Sequence, residues 1–194
     1  MTRTALAAFF IALATPAVAA DQIVSCTGPF ASDASHAALV KTFGASNVTF
    51  ADLPFPAEGV KGTIIFPKDK AKRVEVMWKD EKGRRRPIMV IFGSGWRTAE
   101  GIRLESTLAA VEKINGRAFT LSGFEHDNAG TVYSWKGGKL AKQPGGCTLV
   151  VRFGIGDVPN KALDKVSGDR GYSSRNPGMI AIKPGVRQIA ISYE

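Results

Sequence analysis

The chain has 194 residues, with 26 Lys and Arg against 17 Asp and Glu, two Cys and two His. At 44% hydrophobic and 22% charged it has a globular composition, which excludes a disordered or fibrous chain. Its length suits one ordinary domain or two small ones. Two His and two Cys leave a structural zinc site short of ligands, and neither a metal nor a cofactor is expected.

Met1 to Ala20 reads as a signal peptide, with Arg3 as the positive n-region, Ala5 to Ala14 as the apolar core and small residues around Val18 and Ala20. The apolar run is too short to span a bilayer, so no transmembrane segment is expected. Cleavage before Asp21 removes one charge, Arg3, and leaves the mature chain strongly basic. Export makes a periplasmic or secreted location the expectation. In an oxidising compartment Cys26 and Cys147 pair by default, closing a loop of 121 positions. Lipidation of Cys26 is a competing reading, because Ile23-Val24-Ser25-Cys26 loosely fits the box that precedes a lipoprotein cysteine.

Ser35 to Phe43 is predicted to be a short helix, with Ser32, Asp33 or Ser35 as its cap and Gly44 as its stop. Strands are predicted at 47–51, 62–66, 73–79 and 87–92. In the third, Val74, Val76 and Trp78 alternate inward while Arg73, Glu75 and Lys79 face out. Asp80-Glu81-Lys82-Gly83 reads as a hairpin turn. A second helix is predicted over 107–115, capped by Ser106 and stopped by Gly116, followed by strands at 118–122, 131–135, 147–153 and 187–193. Lys136-Gly137-Gly138-Lys139 reads as a two-glycine hairpin turn. The segment 154–186 has no strong period and is predicted to be a long ordered loop, with a helical turn near Pro159 to Val166.

Helix, glycine and four strands thus occur twice, so the expected fold is α+β. It would consist of two tandem units, each a helix on an antiparallel four-stranded sheet, spanning 21–97 and 98–194. Neither unit of that size has more than a marginal core alone.

The stretch Gly101-Ile102-Arg103-Leu104, with Leu108, Val111 and Asn115-Gly116-Arg117-Ala118-Phe119, is similar to the helix-then-meander units of beta-lactamase-inhibitor-protein-like folds. Small outer-membrane-assembly lipoproteins share that unit. Trp135-Lys136-Gly137-Gly138 and Val166-Ser167-Gly168-Asp169 resemble an uncharacterised family of exported alphaproteobacterial proteins. The inhibitor-like resemblance implies binding through loops and a concave sheet face, with no catalytic centre.

The basic runs are the loudest chemical feature. Lys68, Lys70, Lys72 and Arg73 precede one strand, and Lys79, Lys82, Arg84, Arg85 and Arg86 flank the next hairpin. No stacking aromatic motif interleaves with them, so nucleic acid is not the expected partner. Trp96 and Arg97 in a loop, Tyr172 and Arg175 in the long segment, and the rim formed by Arg84, Arg85 and Arg86 are the candidate contacts. The expected function is a non-enzymatic, inhibitor-like binding module for a protein or an anionic envelope component. The alternatives are a hydrolase of envelope polymers with a site near His126 and a structural envelope protein.

Overall fold

A computed structural model describes residues 22–54 and 59–193. The expected signal peptide lies outside the described residues. In chain order the strands and α-helices are β1 (Ile23–Val24), α1 (His36–Phe43), β2 (Val48–Asp52), β3 (Lys61–Ile65), β4 (Val74–Asp80), β5 (Arg85–Phe92), β6 (Arg97–Thr98), α2 (Leu108–Asn115), β7 (Thr120–Ser122), β8 (Val132–Ser134), β9 (Thr148–Gly154), α3 (Asn160–Leu163), β10 (Gly171–Ser173), α4 (Pro177–Ile182) and β11 (Gly185–Ser192).

Local chemistry explains the first half. The Ser35 side chain accepts a hydrogen bond from the Ala38 amide and so caps α1, and Gly44 ends the helix at φ 86°. Leu39 points from α1 into the core, and the helix lies against β2 and β3. In β4, Val74, Val76 and Trp78 are buried as the alternation predicts. Glu75 departs from it: its side chain is buried too, and its carboxylate accepts from Arg73 Nε at 2.6 Å. A buried carboxylate needs such a partner.

The strands do not divide into two four-stranded sheets. The main sheet has six strands in the order β2-β3-β4-β5-β11-β9, every pair antiparallel. The second half therefore contributes β11 and β9 to a sheet begun by the first, and the expected boundary at 97/98 cuts across it. A three-stranded antiparallel sheet, β10-β7-β8, and the parallel pair β1-β6 complete the pairing. The reason is apolar area. With Ile189 and Ile191 buried in β11 and Val151 and Phe153 in β9, joining β5 lets these strands share one core with Val74, Val76 and Val90.

Two local expectations are also corrected. Gly137-Gly138 turns the chain into a 3-10 helix over Lys139–Ala141 rather than into a hairpin, and β8 pairs with β7. The cap of α2 is Thr107, whose side chain accepts from the Ala110 amide, while Ser106 Oγ accepts from the Arg103 amide.

Cys26 and Cys147 form a disulfide with their Cα atoms 5.6 Å apart. It ties the segment after β1 to the start of β9 and engages the sulfur that lipidation would use. Tyr193 braces the same corner: its hydroxyl donates to the Phe30 carbonyl at 2.6 Å, with the Cys26 carbonyl at 3.0 Å. Burial, reinforced by the Asp33 carboxylate, pushes its pKa up to about 12. The folded protein thus keeps this proton where an unfolded tyrosine, near pH 10, has released it, so the stability it confers is lost as pH rises from about 10 to 12. Tyr193→Phe is expected to cost about 1 kcal/mol at neutral pH. Urea unfolding at a series of pH values should show the gap from wild type closing above about pH 10. A gap of constant size would contradict the assignment.

Candidate functional site: a basic-rimmed pocket between α2 and α4

Helix α2 turns Val111 and Asn115 inward and presents Ala109, Glu112 and Lys113 outward. Gly116 closes it in the left-handed region at φ 79°, where a side chain would be strained, and the chain turns sharply to Arg117. Asn115, buried to 1% exposure, fixes that exit. Its Nδ2 donates to the Arg117 and Trp135 carbonyls, both at 3.0 Å, and its Oδ1 accepts from the Leu140 amide at 3.2 Å.

The opposite wall comes from the segment expected to be a loop. Asn176 Oδ1 accepts from the Gly178 and Met179 amides, Pro177 opens the first turn, and α4 follows. Met179 and Ile182 fall into the core, leaving Ile180 on the outside at 57% exposure.

Between these walls lies a pocket of about 590 Å³, a size typical of small-ligand sites. Ile180 and Ala109 supply its open apolar surface over a floor of Leu108, Met179 and Pro184, and Lys113, Arg117, Arg175 and Lys183 bring four cationic side chains against the single carboxylate of Glu112.

Glu112 is already engaged. Oε2 accepts from Ser174 Oγ at 2.5 Å and Oε1 from Arg175 Nε at 2.7 Å. Ser174 in turn accepts from the Phe119 amide at 3.1 Å, so the carboxylate joins α2 to the chain entering α4. Burial pushes the Glu112 carboxyl up, but the bonds from Ser174 and Arg175 together outweigh it and hold the pKa below the ordinary carboxylate value. The Arg117 guanidinium donates to the Lys136 carbonyl at 2.7 Å. Among the described residues, Lys113 and Lys183 have no ion-pair partner, and both are exposed. The pocket therefore offers net positive charge beside apolar surface, with two ammonium groups uncommitted.

The expected contact residues separate. Arg175, its side chain 69% exposed, stands at the pocket. Trp96 is a core residue at 7% exposure: it packs against Phe30 and Phe92, and its indole N–H donates to the Lys72 carbonyl. Tyr172, at 6%, sits in β10 against β7 with its hydroxyl on the Ser167 carbonyl. Neither presents an anchor to a partner. Arg97 is half-buried in β6, its amide bonded to the Gln22 carbonyl.

Arg84, Arg85 and Arg86 are exposed, yet two of them are occupied. Arg84 stacks over the Phe50 ring at 4.1 Å and Arg85 bonds Asp80 at 2.7 Å. Their backbone holds the turn against the entrance to α1, through His36 N to the Arg84 carbonyl and Arg86 N to the Ala34 carbonyl.

His126 braces a loop. Nδ1 accepts from the Asn128 amide at 3.3 Å and lies 3.8 Å from Asp169, whose carboxylate also accepts from Tyr133 at 2.9 Å. No cluster of three or more His, Cys, Asp or Glu suited to a metal occurs among the described residues. Sequence reasoning missed Lys113, Lys183, Ile180 and Glu112 as a group. Asn176-Pro177, a capping residue followed by a first-turn proline, is the signal that could have revealed α4.

No protein-family model, curated protein or solved structure matches the chain.

Proposed function

We propose that the protein is an exported binding module that holds an anionic envelope ligand in the pocket between α2 and α4. The observation that carries this reading is the set of four cations facing one carboxylate that is already hydrogen-bonded. An incoming anion meets donors without first having to neutralise an acid, and the low-dielectric apolar wall strengthens each contact. The disulfide and the absence of any membrane-spanning helix among the described residues fit export.

The test uses the anionic fluorophore 1-anilinonaphthalene-8-sulfonate. The double substitution Lys113→Ala with Lys183→Ala removes two exposed ammonium groups and leaves the core intact. It is expected to weaken binding about tenfold, the value of one charge-assisted hydrogen bond, and to flatten the salt dependence. Replacing Arg84, Arg85 and Arg86 with serine is expected to leave this binding unchanged. Equal affinity in wild type and the double lysine variant would defeat the pocket reading. Loss only in the triple arginine variant would move the anion site to the hairpin.

A further inference from the structure

The pocket's two kinds of surface say more about what fills it. We infer that its ligand is a single-chain amphiphile with an anionic head, which the uncommitted ammonium groups of Lys113 and Lys183 hold while the chain lies on the exposed Ile180 and Ala109, over a floor closed by Leu108, Met179 and Pro184. This rests on the reading of the pocket as an anion site and narrows it to one class.

Three observations point there. Ile180 is 57% exposed, one of two large hydrophobic side chains left open among the described residues, and it lines this pocket. A chain laid across it removes apolar surface from water on both partners, which a bare inorganic anion cannot do. Next, the cations do not surround the pocket's apolar part with equivalent donors. Arg175 and Arg117 are drawn to Glu112 and the Lys136 carbonyl, and only the two lysines keep all their hydrogen-bonding capacity for a ligand. Two point charges suit one compact head rather than a long polyanion, which needs a repeated row of cations. Finally, Glu112 lies in the lining with both oxygens occupied. Its negative charge is already paired with the Arg175 guanidinium, and the surplus positive charge of the lining repels a cationic head.

The experiment is isothermal titration of the full chain, disulfide intact, with butyrate, decanoate, decyl phosphate and decyltrimethylammonium, each below its micelle concentration. Decanoate or decyl phosphate is expected to bind, and whichever is tighter identifies the head as carboxylate or phosphate. Affinity should rise about two- to fourfold per added methylene along a carboxylate series. Ile180→Ser, a change at an exposed position, should weaken decanoate at least fivefold. The same variant should leave the pocket's dependence on Lys113 and Lys183 in place.

Butyrate and decanoate binding equally, or decyltrimethylammonium matching decanoate, would overturn the inference. If the anilinonaphthalene sulfonate probe binds and depends on Lys113 and Lys183 while no decyl anion displaces it, the amphiphile inference fails and the anion pocket stands. If neither the probe nor the decyl anions bind, both fail together.

Discussion

Replacing Cys26 and Cys147 together with serine is expected to lower the unfolding free energy by about 4–5 kcal/mol, the largest effect of any change considered. The bridge spans 121 positions, and four of the six strands of the main sheet, β2 to β5, lie within the loop it closes. Without it the unfolded chain gains the freedom of that whole loop, while the folded chain keeps its hydrogen bonds. The Cα separation of 5.6 Å lies within the ordinary range for a disulfide. Urea unfolding of the oxidised wild type and the double serine variant, with equal slopes, measures the difference. A loss below about 1 kcal/mol would show that the unfolded chain is already compact without the bridge.

Asn115→Ala comes next, with an expected cost of about 3–4 kcal/mol. Asn115 uses both amide hydrogens and its oxygen, on the Arg117 and Trp135 carbonyls and the Leu140 amide. Alanine strands these partners in a buried corner where water cannot replace the lost bonds, at about 1–3 kcal/mol for each group left unsatisfied. Gly138 packs directly on this side chain, so a void opens there as well. Asn115→Asp should cost at least as much at neutral pH, because a carboxylate would face two carbonyl oxygens. Thermal unfolding should drop by about 6–12 °C in the alanine variant. A drop of one or two degrees would mean that water enters the site.

The elements legible in the sequence are those whose cause is local. Ser35 and Gly44 mark the ends of α1 within a span of ten residues, and the period of two in Val74, Val76 and Trp78 survives in β4 because one face of that hairpin is dry. The order of the main sheet was not legible. Nothing near residue 189 says that it pairs with Phe92, almost a hundred positions earlier, because antiparallel ladders carry no address beyond apolar pattern and shape. The candidate site shows the same division. Arg175 stands out for its chemistry, but Lys113 and Lys183 lie seventy positions apart and line one pocket where Glu112 joins α2 to the chain before α4. Trp96 and Tyr172 show the opposite error: large aromatics beside glycines look exposed in a string of letters, and the core claims them.

Strand β11 follows every other strand among the described residues and yet lies between β5 and β9, with neighbours on both edges. Until it emerges from the ribosome, β5 and β9 each present a bare row of amides and carbonyls, and the two parts of the main sheet have no ladder between them. The meander β2-β3-β4-β5 can pair within itself beforehand, so Gly185–Ser192 is the joint on which the continuity of the six-stranded sheet depends.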